Sequence, residues 1–431
     1  MSFVASSGRE VEVAKNSRRI KAMASSGKTF CEFFAGIGLV REGLTASSWS
    51  CVYANDISEK KREMYEGRFG GGGHFHLGDV WDTDSILERI PGTPFLATAS
   101  FPCVDLSLAG HWKGFDGEHS STFFGFTKAI EAMGAMRPRL IMLENVTGFI
   151  TSKGGRDFES AVRAMASLGY WLDAFVVDAC HFLPQSRPRV FVVGLHESVE
   201  APQAVRKSKV DWIADEWSRR IESDPYSVRP RKLVDLMRSI ELPTGWSAFN
   251  LPVPREAPPG VAEFIDRDDE QDWWDTAGVK KHRDMMHERH RKLIDEMLEK
   301  GETFVGTIYR RKRGDKTMAE VRFDGVAGCL RTPKGGSARQ IVVVVEKGDL
   351  RMRWMSAREY ARLQGAPSFP LMPNTIQNLH GFGDAVCVPV ISWIDKHVLT
   401  PVFEWHSSNE HSHADDQLDR GEIEALRRLV V

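Results

Sequence analysis

The sequence predicts an α/β fold: a doubly wound, mostly parallel sheet with a second, smaller lobe beside it. Two observations carry that expectation. Over the first half of the chain, short apolar runs of strand length at 29–34, 51–54, 95–99 and 140–143 alternate with segments of helical spacing. Such alternation builds βαβ units and hence a parallel sheet. From residue 200 to about 324 the alternation fails and prolines and tryptophans cluster, and a chain of 431 residues exceeds the usual size of one domain. A second unit is expected there.

The net charge is only −2, so any surface for a polyanion must come from local clusters of basic residues. Six cysteines, Cys31, Cys51, Cys103, Cys180, Cys329 and Cys387, are scattered without C-x-x-C spacing, which argues against a disulfide framework and against a zinc site. No run is long and apolar enough to span a bilayer, and the N-terminus lacks the apolar core of a signal peptide. A soluble, intracellular protein without membrane contact is expected. Thiols stay reduced in that compartment.

Residues 1–28 are Ser-rich and lack an apolar period, so they read as a disordered arm. The run 29–34 ends in the turn Ala35-Gly36-Ile37-Gly38, and helical spacing begins at Leu39. Glycines at a strand-to-helix turn let the backbone approach a ligand and present amide N–H groups at a helix N-terminus. Arg41 stands where a nicotinamide fingerprint would have its third glycine, which counts against a dehydrogenase. Asp56 ends the second run about twenty positions beyond the turn, placed to accept hydrogen bonds from ribose hydroxyls or to cap the next helix. Leu77-Gly78-Asp79-Val80, by itself, reads as an ordinary turn.

The sharpest chemical signal lies at 95–103. An apolar run stops at Pro102 and Cys103 follows at the mouth of a loop, where a thiol faces a crevice outside a strand end rather than the core. A buried structural cysteine is the ordinary alternative. A second run, 140–143, ends in Glu144-Asn145-Val146, and a helix of crossover length is predicted between them at 123–136. The loop 104–121 is long enough to be functional. A helix at 156–168 and strands near 174–177 and 190–193 predict a hairpin-like sheet edge.

Phe34-Ala35-Gly36-Ile37-Gly38, Pro102-Cys103, Glu144-Asn145-Val146, Gln185-Ser186-Arg187-Pro188-Arg189 and Arg358-Glu359-Tyr360-Ala361-Arg362-Leu363-Gln364-Gly365 follow one another in the order of DNA cytosine-5 methyltransferase blocks. The chain resembles that family over roughly 29–195 and 328–398. The resemblance implies a Rossmann-like methyltransferase domain at 29–198 plus 376–403, a target-recognition domain at 199–375 and an appendage at 404–431. It implies S-adenosylmethionine as cofactor, with Phe34, Ala35, Gly36 and Gly38 at its methionine end and Asp56 on the ribose. Ile57 would pack on the adenine, Asp79 would read the adenine amino group beside Val80, and Pro102 and Asp384 would complete the cofactor site. Cys103 would add as thiolate to carbon 6 of cytosine and Glu144 would serve ring nitrogen 3, while Arg187 and Arg189 hold the base and the carboxylate, Arg189 being the better match. The cytosine must then be turned out of duplex DNA.

Arg310, Arg311, Lys312 and Arg313 form the candidate phosphate-contacting run. One helix is predicted over 279–299; its His282, His287 and His290 lack the i, i+4 pair of a zinc helix, so no metal is expected. An apolar helix at 388–398, by the resemblance, returns to pack beside the glycine turn. Three positions depart from the family pattern: Leu39 and Ser100 where glycine is common, and Asp384 where asparagine is usual. Asp384 is expected to face the ammonium of the cofactor. Duplex DNA is the expected partner of a monomer, with a cognate restriction endonuclease acting separately. Two alternatives stay open. One is an RNA (tRNA) cytosine-5 methyltransferase of the same chemistry, whose characteristic Cys-Phe-Thr is missing here. The other is a catalytically silent DNA-binding relative, disfavoured by the presence of Cys103, Glu144 and Arg189 together.

Overall fold

The computed structural model describes residues 27–102, 122–201, 228–254, 258–333 and 338–409, and the backbone of 206–208. Cys103, the loop 104–121, nearly all of the N-terminal arm and the chain beyond 409 lie outside the described residues.

Five strands, β1 (Thr29–Phe33), β2 (Ser50–Asp56), β3 (Phe75–Leu77), β4 (Leu96–Ala99) and β5 (Leu140–Val146), run parallel. Parallel neighbours need crossovers, supplied by α1 (Leu39–Thr45), α2 (Glu59–Phe69), α3 (Thr83–Arg89) and α4 (Thr122–Ala132). After α5 (Arg156–Ser167), β6 (Tyr170–Asp178) and β7 (Pro188–His196) form an antiparallel hairpin whose second strand pairs with β5. The seven-stranded order is β3-β2-β1-β4-β5-β7-β6. The direction of winding reverses between β1 and β4, so a crevice opens outside their carboxyl ends. Phe30, Leu96, Leu140 and Met142 face one apolar layer, and Phe33, Ala97, Ala99, Ile141 and Leu143 face the other. Burial on both sides explains why these strands read as continuous apolar runs.

The expected start of the second lobe at 199 is not where the packing changes. Asp173, fully buried within β6, draws residues 228–249 onto the large sheet. Arg229 forms a buried ion pair with it, and the Phe249 N–H donates to its Oδ2 at 2.8 Å. A buried carboxylate needs such partners. β8 (Arg206–Ser208) pairs with β9 (Ser247–Phe249), and α6 (Arg231–Ser239) joins the apolar layer beneath α5.

The smaller lobe holds α7 (Thr276–Asp284), α8 (Glu288–Lys300) and an antiparallel sheet of β10 (Phe304–Arg313), β11 (Lys316–Arg322), β12 (Ile341–Glu346) and β13 (Asp349–Trp354), ordered β11-β10-β12-β13. The helix predicted over 279–299 is two helices. The chain leaves helical geometry at 285–287, where the Ala319 N–H donates to the Met285 carbonyl at 3.0 Å and ties the break to β11. The apolar period runs through because Met286 at the break and Ile294 beyond it enter the same small core. His282 stacks on Trp274 with centroids 4.2 Å apart, and His287 caps α8. Among the described residues no group of His, Cys, Asp and Glu is placed to hold a metal ion.

α9 (Ala357–Leu363), α10 (Thr375–Asp384) and α11 (Val388–Ile394) return to the large sheet. The last helix continues unbroken to Asn409, so the boundary expected at 403/404 falls inside it. Gly43 of α1 admits no side chain, since a Cβ there would lie 2.6 Å from Ile391. Gly381 of α10 likewise meets Met64 of α2 at 2.8 Å. Thr375–Asn409 is long and apolar enough by composition to cross a membrane, but half of its apolar stretch is buried inside the protein.

Glu32, in β1, is buried. Burial pushes its carboxyl up to about 8, with the Arg41 charge pulling the other way. A carboxyl raised in the fold is neutral there, so its contribution is full below its unfolded value and is lost as pH rises through about 8. Glu32→Gln is therefore expected to melt like the parent near pH 5 and to be more stable than the parent at pH 9, by on the order of 1–3 kcal/mol. Parallel stability curves from pH 5 to pH 9 would contradict a buried neutral carboxyl.

Candidate active site

The cofactor-side residues meet at the end of β1. Phe34 has a left-handed backbone (φ 54°), followed by Gly36 at 57° and Gly38 at 82°. Gly38 is required twice over, because a Cβ would also lie 2.5 Å from the Phe69 ring. At Gly36 the space is open, the nearest atom being the Phe34 carbonyl oxygen at 4.0 Å. The Ala35 N–H donates to the Asn55 carbonyl at 2.8 Å and the Gly36 N–H to Asp56 Oδ2 at 3.0 Å, stitching the turn to the end of β2. Asp56 Oδ1 also accepts from the Ser58 N–H at 2.9 Å. A carboxylate has about four acceptor positions, so capacity for hydroxyl donors remains.

Ile57, the next residue, is 73% exposed, an apolar side chain offered to solvent beside a buried carboxylate. Asn55 Nδ2 donates to the Gly78 carbonyl at 2.9 Å and fixes the adjoining turn. In that turn Val80 is buried and Asp79, exposed, accepts from the Trp81 N–H at 3.0 Å. Asp384 has a protein partner that the sequence did not show. It ends α10 half-exposed and pairs with Lys61 at 3.3 Å, and Lys61 in turn lies 4.0 Å from Asp56. Its charge is therefore already answered from α2.

The reaction-side residues meet at the ends of β4 and β5. The Phe101 ring packs on Phe123 and Phe149, and its carbonyl accepts from Asn145 Nδ2 at 3.2 Å. Asn145 thereby ties the end of β4 to the end of β5, next to half-buried Pro102. Glu144 is buried, with the Arg189 guanidinium Nε 3.1 Å from its Oε1. The register places Glu144 opposite Phe191, so Arg189 is its diagonal neighbour on one face of the sheet.

Arg187 differs from its expected role. It is 2% exposed and donates to the carbonyls of Leu330 (2.8 Å), Gly383 (3.2 Å) and Ala385 (2.5 Å). Its fork is committed to backbone, so it joins segments instead of reaching a base. Arg310 to Arg313 lie in β10, where the period of two sends neighbours to opposite faces. Arg310 stacks on Trp354 at 4.6 Å, while Arg311 and Arg313 approach Glu320 at 3.3 and 2.8 Å. Lys312 is exposed.

Sequence reasoning did not single out Lys61 and gave no role to Asn145 or to the two buried amides of Gln185 and Gln364. Gln185 Nε2 donates to the Leu363 carbonyl at 2.7 Å, and Gln364 Nε2 to the Phe382 carbonyl at 2.6 Å. Asn145 was findable as an amide closing an apolar strand. The glutamines carry no local signal, because Gln185 and Leu363 are 178 residues apart.

The family model for C-5 cytosine-specific DNA methylases matches residues 28–400. The Type II methyltransferase M.DsaV of Dactylococcopsis salina is 26% identical over 86% of this chain and 86% of its own length. The Type II methyltransferase M.HpaII of Haemophilus parainfluenzae is 25% identical over 86% of this chain and 89% of its own. Among solved structures, the methyltransferase EhMeth of Entamoeba histolytica superposes with a TM-score of 0.55 at 14% identity, covering 87% of this chain and 98% of that one, which shows a shared fold. With a match across most of its length, this chain belongs to the C-5 cytosine-specific DNA methylase family and is an enzyme of DNA methylation.

Proposed function

We propose that the enzyme methylates carbon 5 of a cytosine turned out of duplex DNA, through a covalent adduct with Cys103. The observation that carries this reading is the buried Glu144 and Arg189 pair, tied through Asn145 to the strand end that leads into Pro102 and Cys103. Carbon 5 of an aromatic ring is a poor nucleophile. Addition of the Cys103 thiolate at carbon 6 breaks the aromaticity and makes carbon 5 enamine-like. Glu144 serves ring nitrogen 3 as charge develops there, and Arg189 orients the carboxyl. None of these groups reaches a stacked base, so the cytosine must be extruded.

The residues at the β1 turn fit S-adenosylmethionine. Open space over Gly36 suits a close backbone approach, the remaining acceptor capacity of Asp56 suits ribose hydroxyls, and exposed Ile57 suits an adenine face. When bound, that cofactor supplies an electrophilic methyl group. Phe34, Ala35, Gly38, Asp79, Val80 and Pro102 would line it, with Asp384 acting through Lys61. The relatives' designation as Type II methyltransferases supports modification of host DNA beside a separately encoded restriction endonuclease. A monomer in the cytoplasm or on the nucleoid completes the reading.

DNA carrying 5-fluorocytosine tests the mechanism, because fluorine cannot leave as a proton does and the adduct accumulates. The parent is expected to give a denaturation-resistant complex with such DNA. Cys103→Ser should give none and should lose methyl transfer by on the order of a thousandfold or more while still binding DNA, a hydroxyl being far less acidic than a thiol. Near-normal turnover by that variant would contradict the covalent step.

The β10 run is proposed to contact phosphates. Replacing Arg311 and Lys312 with alanine should weaken target and non-target DNA about equally and reduce the salt slope by roughly one to two. Loss of discrimination at a single base pair with an unchanged slope would assign these residues to base readout.

A further inference from the structure

The charges beside the β1 turn include one carboxylate more than the turn itself requires. Asp56 Oδ2 accepts from the Gly36 N–H at 3.0 Å and lies 4.0 Å from the Lys61 ammonium, which in turn lies 3.3 Å from Asp384 Oδ2. The end of β2, the first turn of α2 and the end of α10 thus meet at one ammonium. Asp384 is flanked by Gly383 and Ala385, whose carbonyls accept from buried Arg187 at 3.2 and 2.5 Å. Gly383 is also packed so closely that a Cβ there would lie 2.6 Å from the Thr332 backbone nitrogen. The backbone that carries the Asp384 carboxylate is therefore fixed, although the side chain itself is half-exposed.

An ion pair between side chains 28% and 50% exposed contributes little to stability. What it changes is the charge of the site. Two carboxylates and one ammonium sum to −1, whereas an amide at 384 would leave Lys61 to cancel Asp56. The neighbouring charges on α2 balance one another: Arg62 pairs with Glu59, and Lys60 and Glu63 are of opposite sign.

We propose that Asp384, by neutralising Lys61, leaves Asp56 as a net negative charge at the cofactor site, and that this charge makes the site prefer S-adenosylmethionine to the product of methyl transfer. The proposal rests on the reading of the β1 turn given above. The cofactor carries a sulfonium, an ammonium and a carboxylate, one positive charge in excess. When the bond from sulfur to the methyl group breaks, the sulfur keeps the electron pair and becomes a neutral thioether, so S-adenosylhomocysteine has no net charge. Ribose, adenine, ammonium and carboxylate are common to both molecules, and contacts with them favour the two alike. Charge acting on the sulfur separates them, and a negative site holds the cofactor while releasing the product.

Calorimetric titration of S-adenosylmethionine and of S-adenosylhomocysteine into the full-length protein tests this, the quantity read being the ratio of the two affinities. Losses of folded protein or of ribose binding affect both ligands and cancel in that ratio. Asp384→Asn is expected to lower the preference for S-adenosylmethionine by about threefold at low salt, the scale of one unit charge acting across a partly solvated site, and the effect should shrink as ionic strength rises. Lys61→Met removes the opposite charge and should raise the preference by a similar factor. A merely structural contact cannot give opposite signs, because breaking it from either side has the same consequence. Ratios unchanged in both variants, or shifted the same way in both, overturn the proposal and leave the cofactor reading intact. Failure of both ligands to bind the parent overturns the cofactor reading, and the proposal with it.

Discussion

The buried guanidinium of Arg187 holds together parts of the chain that lie far apart in sequence. Its acceptors lie 143, 196 and 198 residues further along, at Leu330, Gly383 and Ala385. Desolvating a guanidinium is costly, and the cost is offset only where its donors find acceptors. Gln185 and Gln364 extend the same junction through buried amide bonds to Leu363 and Phe382. The end of α10, the approach to β7 and the segment after the small-lobe sheet are thereby locked to one another. Glu144 and Arg189 sit against that junction, so the reacting side of the site inherits its rigidity.

The cofactor side gains its precision from topology. β1 and β4 are neighbours at the point where the winding reverses, so the Gly36 turn and the Pro102 strand end open on the same side of the sheet. Amide side chains complete the arrangement: Asn55 holds the Gly78 turn and Asn145 holds Phe101. Each fixes a loop to a strand end with hydrogen bonds that neither reactant has to supply, which is what preorganisation requires.

What was legible in the sequence follows from which forces act locally. The parallel strands could be read because burial on both faces leaves an uninterrupted apolar run, and the glycine turn because positive φ at Gly38 excludes most other residues. The small-lobe sheet could not. β10 ends in four basic residues that read as a charge cluster, although their side chains alternate between two faces. The apolar period over 279–299 hid a break whose cause, a hydrogen bond from Ala319, lies outside the segment. Arg187 and Arg189 stand two residues apart in one motif, and only burial separates the clamp from the residue at Glu144. The pairing of Asp384 with Lys61 was not legible, because Lys61 comes from a helix more than three hundred residues earlier. The packing of 228–249 on the large sheet was not legible for the same reason, since Asp173 recruits Arg229 across 56 residues.

The central claim is that this assembly places a methyl group on carbon 5 of cytosine in DNA. Bisulfite sequencing of unmethylated genomic DNA, incubated with the purified protein and S-adenosylmethionine, tests it most directly. The account predicts protection of a single cytosine within one short recurring sequence on duplex DNA. Fully converted DNA, alongside transfer of labelled methyl groups to RNA under the same conditions, would contradict it.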